Sequence, residues 1–388
     1  QEKTLANGDI IDYYLNASQE IQALPEYDKA EKTEGILTEN AKYVEGTDIA
    51  IIPKGFKMSD KKEEQSIANG LVIQDEVGNE YVWVPVKDGT LDRTAWFNNT
   101  EGNEIIRKLD NNEYSKEEMK EIIIKGAGYN SEEEALEATG ASNWEELVKS
   151  YGCNTEEEAL RKICTLNSNY AETMPEDLIN SVKTNKGFYM GRYEAGSNSV
   201  RTEAKANTLT EVLTRKGLYP YNFVSQTNAI SKIKEMYLDK TKYGVKATLP
   251  YGAMWDETLG FVKDDAHSVT NSITWGNYYS TTFKFTGEYC EDPNATTPTY
   301  IEGTNIDKPQ NKEWLLTTGA SETNKAKNIY DLAGNVYEWT QESESTTNRV
   351  FRGGFYYDYD EAPVSYRGRC NPSDIYYYQG FRPALYIE

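Results

Sequence analysis

The C-terminal end of the chain constrains the fold most. Three short motifs follow one another there in order: residues 328–340 (NIYDLAGNVYEWT), residues 352–354 (RGG) and residues 380–382 (GFR). Each combines aromatic or apolar residues with glycines, which is typical of short strands separated by tight turns. Two extended aromatic runs lie upstream, at residues 81–86 (YVWVPV) and 188–194 (FYMGRYE).

In order and spacing, these motifs resemble the signature of the formylglycine-generating-enzyme family. The resemblance covers roughly residues 50–100 and 185–388. It implies an α+β, C-type-lectin-like fold, in which a small mixed core carries long loops and tolerates their variation. It also implies that Trp339, Arg352 and Phe381 belong to the scaffold, with Arg352 paired to a buried acid.

The oxidase activity of that family depends on two cysteines shortly after the Gly-Gly pair, which bind copper and activate oxygen. Residues 355–361 (FYYDYDE) contain no cysteine, and Cys370 stands alone further on. A single thiol does not supply the two thiolates that Cu(I) prefers. We therefore predict a protein that is not an enzyme and has no catalytic residues, with a copper-dependent oxidase as the disfavoured alternative.

The same fold serves a second group, the variable proteins of diversity-generating retroelements. In these ligand-binding proteins, adenine-directed mutagenesis rewrites a segment near the terminal Gly-Phe-Arg. An AAC codon with both adenines randomised cannot encode Lys, Glu, Gln, Met or Trp. Three blocks here avoid all five residue types, and we predict that they form the variable ligand-binding face: Phe355, Tyr356, Tyr357, Asp358, Tyr359; Gly368, Arg369, Cys370; Asp374, Ile375, Tyr376, Tyr377, Tyr378.

Tyrosine is unusually abundant, with 30 Tyr against 10 Phe. Its large rigid ring and polar tip suit recognition surfaces. Side chains alternate along an extended chain, so at least one ring of Tyr376, Tyr377 and Tyr378 should be exposed. The alternative is that these tyrosines pack between loops.

Besides the copper of the disfavoured oxidase, the resemblance suggests calcium as a possible cofactor. In the formylglycine family this ion sits around a Gly-Asn-x-x-Glu segment, which here corresponds to Gly334, Asn335, Val336 and Glu338. Turn carbonyls and a carboxylate suit Ca²⁺. The alternative is that Asn335 and Glu338 brace the loop through hydrogen bonds. No cofactor is required for ligand binding.

The rest of the chain divides into an N-terminal helix or stalk (residues 1–45) and a C-type-lectin-like domain (residues 46–388), interrupted by a helical insertion (residues 100–184). Helical periodicity after residue 9 and Pro25 support the first helix. The insertion repeats one motif, in which Ser131 with Glu134, and Thr155 with Glu158, form capping boxes. We also predict a hairpin between residues 71 and 86, helices within 222–238 and near 249–259, and irregular loops over 262–327.

Charge and composition narrow the partners. The net charge of −22 opposes binding to nucleic acid, and the single histidine leaves little for triads or histidine metal sites. No apolar run is long enough to span a bilayer. The N-terminal order also resembles pilin-like surface proteins, so we expect an extracellular protein on a bacterial surface or pilus, anchored by a segment preceding Gln1, with an unknown protein or cell-surface ligand. A structural pilin-like subunit is the remaining alternative.

Overall fold

A computed structural model describes residues 2–4, 10–15, 21–23, 35–91, 105, 108–109, 111, 113–126, 131–150, 153–163, 172–359 and 362–388. Among them, no helix has the length and apolar character needed to cross a membrane. Beyond the first three strands, discussed next, the strands are β4 (Ala41–Glu45), β5 (Asp48–Ile52), β6 (Phe56–Met58), β7 (Val72–Asp75), β8 (Glu80–Pro85), β9 (Gly187–Gly191), β10 (Gly196–Ser197), β11 (Tyr219–Pro220), β12 (Val245–Thr248), β13 (Phe283–Cys290), β14 (Tyr300–Lys308), β15 (Leu315–Leu316), β16 (Lys325–Ala326), β17 (Ile329–Tyr330), β18 (Tyr337–Ser343), β19 (Arg349–Arg352), β20 (Gly368–Cys370), β21 (Gln379–Gly380) and β22 (Ala384–Ile387).

The prediction of an N-terminal helix is wrong for the residues that the structure describes. Glu2–Thr4, Ile10–Leu15 and Ile21–Ala23 are strands β1, β2 and β3 of an antiparallel sheet. The segment rich in Ile and Tyr suits a strand as well as a helix, and pairing with two neighbouring strands decides the outcome. The stalk boundary at residue 45 is also wrong, because Leu37 and Tyr43 are buried in the core of the following domain.

A six-stranded sheet organises the domain, in the order β12-β22-β9-β8-β7-β6. Strand β8 pairs with β9 across the insertion, and the C-terminal strand β22 lies between β9 and β12. The predicted hairpin is confirmed, with Asp75 accepting backbone hydrogen bonds from Val77 and Asn79 at its turn. The two aromatic runs and the chain end therefore share one sheet.

Both faces of this sheet are covered, which explains its nearly continuous apolar runs. Side chains of a strand point alternately to opposite faces. Val82 and Val84 pack in one core with Trp255, while Tyr81 and Trp83 pack in a second core beneath the β4–β5 hairpin. Helices α5 (Glu176–Asn185) and α7 (Gly252–Val262) lie on the first face, and α6 (Gln226–Glu235) packs near β12. The helices predicted within 222–238 and near 249–259 are α6 and α7.

The described part of the insertion consists of helices α1 (Lys116–Gly126), α2 (Glu132–Thr139), α3 (Trp144–Ser150) and α4 (Glu156–Ile163). Their apolar side chains form a small separate cluster around Ile123 and Leu160. The Ser131 hydroxyl caps α2, and Thr155 and Glu158 form the reciprocal box at α4, as predicted. The insertion thus has a core of its own.

The other part of the domain carries the C-terminal motifs on a four-stranded sheet, in the order β20-β19-β18-β21. A neighbouring sheet has the order β14-β13-β15. The prediction of irregular loops over 262–327 is therefore wrong in part, because β13 and β14 form a long hairpin. Polar and apolar residues alternate along β13 in the pattern of a half-buried strand.

Candidate ligand-binding face

The four-stranded sheet brings the three predicted blocks together. Strand β19 is followed by Gly353 and Gly354, whose φ angles of 97° and 77° turn the chain sharply into the first block. The second block is β20, which pairs with β19. The third block precedes β21, which runs parallel to β18. As a result, the rings of Phe355 and Tyr378 lie 4.8 Å apart.

Most of the predicted residues reach the surface. Tyr357, Tyr359 and Tyr376 are 42%, 46% and 37% exposed, which confirms the prediction for the Tyr376–Tyr378 triplet. The rings of Tyr376 and Tyr378 stack at 5.0 Å with an interplanar angle of 7°. We call the exposed and half-buried members of the three blocks the tyrosine face: Tyr357, Asp358, Tyr359, Arg369, Cys370, Asp374, Ile375, Tyr376, Tyr377 and Tyr378.

Three predicted residues lie beneath this face rather than on it. Phe355 and Tyr356 are 9% and 1% exposed, because the Gly353–Gly354 turn directs them into the core beside Tyr337. Gly368 is buried as well, and a Cβ atom there would lie 1.9 Å from the Phe351 ring. These three side chains therefore lie below the exposed surface, and their contact with a ligand stays a prediction.

The scaffold holds the backbone of the third block. The carbonyl of Tyr376 accepts a hydrogen bond from the Phe223 amide (3.1 Å), that of Tyr377 from Asn222 Nδ2 (2.7 Å), and that of Tyr378 from the Tyr337 amide (2.8 Å). None of these bonds involves a tyrosine side chain of the block. The backbone at Tyr376–Tyr378 is therefore held without hydrogen bonds from its own tyrosine side chains, whereas the Asp374 carboxylate accepts from the Asn371 amide at 3.2 Å.

The first block is held by similar bonds, with one exception. The amide of Tyr356 donates to the Asn335 carbonyl (3.1 Å), and the Asp358 carbonyl accepts from the Tyr279 amide (2.9 Å). The Asp358 carboxylate, however, accepts from the Phe355 amide (3.0 Å). Burial and the charge of Asp358 together raise the pKa of Tyr337. Asp358 thus braces its own loop.

A residue that the sequence did not indicate completes the face. The half-buried ring of Tyr279 lies 5.2 Å from that of Tyr357 and 5.0 Å from that of Tyr359. Tyr279 is far from the three blocks in sequence, and only the general excess of tyrosine could have drawn attention to it.

Beneath the face, four fully buried charged residues lock β18, β19 and the approach to β20 to helix α7. Arg352 Nη2 lies 2.8 Å from Asp256 Oδ1, which confirms the predicted pairing with a buried acid. Arg367 contacts the same Asp256 and also Glu342, with 3.1 Å between Arg367 Nε and Glu342 Oε2. Trp339 and Phe381 are fully buried, as predicted.

The side chains of Asn335 and Glu338, two of the residues predicted for calcium, make hydrogen bonds within the protein, and calcium binding stays a prediction. Asn335 Oδ1 already accepts from Asn277 Nδ2 and the Leu316 amide, each at 3.0 Å. Both Glu338 oxygens are bound by the Arg382 guanidinium, the closest contact being 2.6 Å. The Gly334 amide donates to Gly353, and the Val336 amide donates to Glu194.

These contacts match the alternative of a hydrogen-bonded brace. The described residues contain no group of three His, Cys, Asp or Glu side chains that could hold a metal ion.

The cysteines of the described segments, Cys153, Cys290 and Cys370, carry free thiols. Gln379 Nε2 donates to Cys370 Sγ at 3.1 Å. Burial raises the pKa of both Cys290 and Cys370 to about 11, so each thiol stays protonated at neutral pH. The thiolate pair that copper requires is not formed by these three residues.

Comparison with known proteins agrees with the motif analysis. Residues 271–387 match the family model of the sulfatase-modifying factor enzyme 1-like domain. This match confirms the resemblance drawn from the three motifs, and the mixture of helices and curled sheets confirms the α+β class. No curated protein matches the chain.

Solved structures with similarity include "Treponema denticola variable protein 1", at 16% identity over 51% of this chain and 84% of that chain, with a TM-score of 0.31. PvdO from Pseudomonas aeruginosa is 14% identical over 52% of this chain and 82% of its own, with a TM-score of 0.30. CarF is 12% identical over 52% and 87%, with a TM-score of 0.27.

Proposed function

We propose that this protein is a non-enzymatic ligand-binding protein of the bacterial surface, whose tyrosine face contacts a protein or other cell-surface ligand and is diversified by a retroelement. One observation carries the proposal. The carbonyls of Tyr376, Tyr377 and Tyr378 are all held by Phe223, Asn222 and Tyr337, while the rings point outward or lie half-buried. A surface built in this way can change its side chains without changing its backbone.

The composition of the face supports the same function. Tyrosine gives a large contact area at a small cost in side-chain entropy, and Asp and Arg supply adaptable polar contacts. All ten residues of the tyrosine face can be encoded by an AAC codon with randomised adenines. Gln379 and Glu338, which such a codon cannot encode, are buried in the scaffold.

The proposal is tested by randomising Tyr357, Tyr359, Tyr376 and Tyr377 in the full chain and selecting for binding to immobilised streptavidin. We expect most library members to melt within a few degrees of the parent, and we expect selected binders to carry distinct residues at these four positions. Gly368→Ala is the buried control, which should lower the melting temperature because the added methyl group overlaps Phe351.

Two outcomes would contradict the proposal. One is a library that is largely unfolded, and the other is binding that does not change with the randomised residues. The retroelement is tested in the genome, where a reverse transcriptase gene should lie near a partial copy of the 3′ end that differs only at adenines. A genome with neither would refute the diversification but would leave the binding function standing.

A further inference from the structure

Three tyrosine rings meet at one end of the tyrosine face. Tyr279 lies between Tyr357 and Tyr359, with interplanar angles of 79° and 57° to their rings. Tyr357 and Tyr359 are the two most exposed of the large apolar or aromatic residues in the three blocks. We call these three rings the aromatic corner. The faces of an aromatic ring carry partial negative charge and attract cations, and the two exposed rings of the corner are accessible from solvent.

Tyr279 is the fixed member of the corner. Its amide donates to the Asp358 carbonyl (2.9 Å), and its carbonyl accepts from the Asn311 amide (2.8 Å). The buried Lys308 ammonium binds the carbonyls on either side, at Tyr278 (2.7 Å) and Thr281 (3.3 Å). These bonds fix the backbone of Tyr279, so no backbone freedom is lost there when a ligand docks on its ring.

The charges around the corner favour a cation. Asp358 lies in the loop between Tyr357 and Tyr359, and the exposed Glu313 is near Tyr377, whose pKa is raised by burial and then by that negative charge. Three of the described cations lie nearby. Lys308 is buried and directed at the backbone carbonyls of Tyr278 and Thr281, so it does not reach the exposed side of the corner. Arg369 lies 3.7 Å from Glu344, and Lys312 lies 6.0 Å from the centre of the Trp314 ring. The net charge of −22 also attracts basic partners at long range.

We propose that the aromatic corner binds an arginine or lysine side chain on a basic segment of a protein ligand, through cation–π contacts with Tyr279, Tyr357 and Tyr359. This inference rests on the proposed function only in taking the tyrosine face to be the ligand contact. It adds the chemistry of the ligand: a positively charged group that enters between aromatic rings, with the acidic surface drawing it in.

The test uses the full chain and a labelled peptide of alternating glycine and arginine, with the same peptide in citrulline as the uncharged probe. At physiological salt we expect the arginine peptide to bind at least tenfold more tightly than the citrulline peptide. Tyr357→Ser and Tyr359→Ser should each weaken arginine binding about two- to fivefold, and the double variant about tenfold. Tyr279→Ser should weaken it by a similar factor.

The serine variants distinguish the contribution of the rings from that of the overall charge, because replacing tyrosine with serine leaves the net charge unchanged. Two further variants serve as controls. Tyr279→Phe keeps the ring and should retain parental affinity. Leu238→Ser removes an exposed apolar side chain elsewhere and should also bind as the parent does. Equal binding of the arginine and citrulline peptides would overturn the proposal, as would serine variants that bind as tightly as the parent. Neither result affects the streptavidin selection, so the two proposals can fail separately.

Discussion

Replacing Arg367 with Met tests whether the buried charge network holds the binding face in place. Arg367 is fully buried and contacts Asp256 and Glu342, both also inaccessible to solvent. Met has similar length without the charge, so Arg367→Met leaves two buried carboxylates with Arg352 as their remaining cation in the network. Removing one partner of such a pair costs about 3 to 5 kcal/mol of unfolding free energy.

Arg369→Met is the matched control, since Arg369 is the same residue type two positions further along the same segment. Its side chain is 55% exposed and its Nε atom lies 3.7 Å from Glu344. A solvated ion pair of this kind contributes about 1 kcal/mol or less. Urea denaturation of both variants should therefore show a large loss for Arg367→Met and a small one for Arg369→Met.

Two results would refute this reasoning. The first is a pair of losses that agree within about 1 kcal/mol, which would mean that burial does not set the contribution of the network. The second concerns the double variant Arg367→Met/Glu342→Gln, which removes one charge of each sign. We expect it to lose less unfolding free energy than the two single variants lose together, because residues in one network are not additive. A loss equal to that sum would refute the reasoning.

Two further predictions concern buried groups. The Tyr356 hydroxyl is buried with no hydrogen-bond partner among the described residues, so Tyr356→Phe should leave the unfolding free energy unchanged or raise it by about 1 kcal/mol in urea denaturation. Burial opposes the ionisation of Glu64, but hydrogen bonds from Arg192 and Ser59 outweigh it and lower its pKa to about 2. The ionised form therefore stabilises the fold above about pH 4.5, and this stabilisation, about 3 kcal/mol, is lost as the pH falls to about 2. When the unfolding free energy is measured against pH, its fall between about pH 4.5 and 2 should be much smaller in Glu64→Gln than in the parent. Glu322→Gln should change this fall far less, because the Glu322 side chain is 63% exposed and screened by solvent.

The scaffold could be predicted from the sequence because its motifs combine strong local constraints. Gly353 and Gly354 both adopt positive φ angles. Trp339 and Phe381 are large apolar residues that stand next to charged residues in the sequence. The sequence also predicted that Arg352 needs a buried acid, because an unpaired charge is costly in the core. It did not predict that the acid is Asp256, since helix α7 comes from a distant part of the chain.

The N-terminal helix failed because two periodicities overlap there. Ile10, Ile11, Tyr14 and Leu15 satisfy a helical stripe, yet β-branched and aromatic residues also have high strand propensity. The described residues form antiparallel pairs, such as Tyr14 with Gln22. Pairing with the neighbouring strands decides between helix and strand, and the sequence of the segment alone does not show which strands it will pair with.

Depth within the face was equally hidden from the sequence. Phe355 and Tyr357 have similar residue chemistry and both satisfy the codon rule. Phe355 is buried against Tyr337, whereas Tyr357 is 42% exposed. The direction in which the Gly353–Gly354 turn releases the chain sets this difference. The codon rule reports which residues mutagenesis can supply, and it carries no information on burial.

A diversified surface must accept new side chains while its backbone stays in place. In this protein the carbonyls of Tyr376, Tyr377 and Tyr378 accept hydrogen bonds from Phe223, Asn222 and Tyr337. The second block is tied to the core through Arg367, next to β20. These bonds remain when an exposed tyrosine is replaced, because the peptide group is the same for almost every residue. In Tyr376, Tyr377 and Tyr378 the backbone atoms therefore contribute to stability, while the side chains are proposed to contact the ligand. Substitutions of these tyrosines should change affinity far more than the free energy of unfolding.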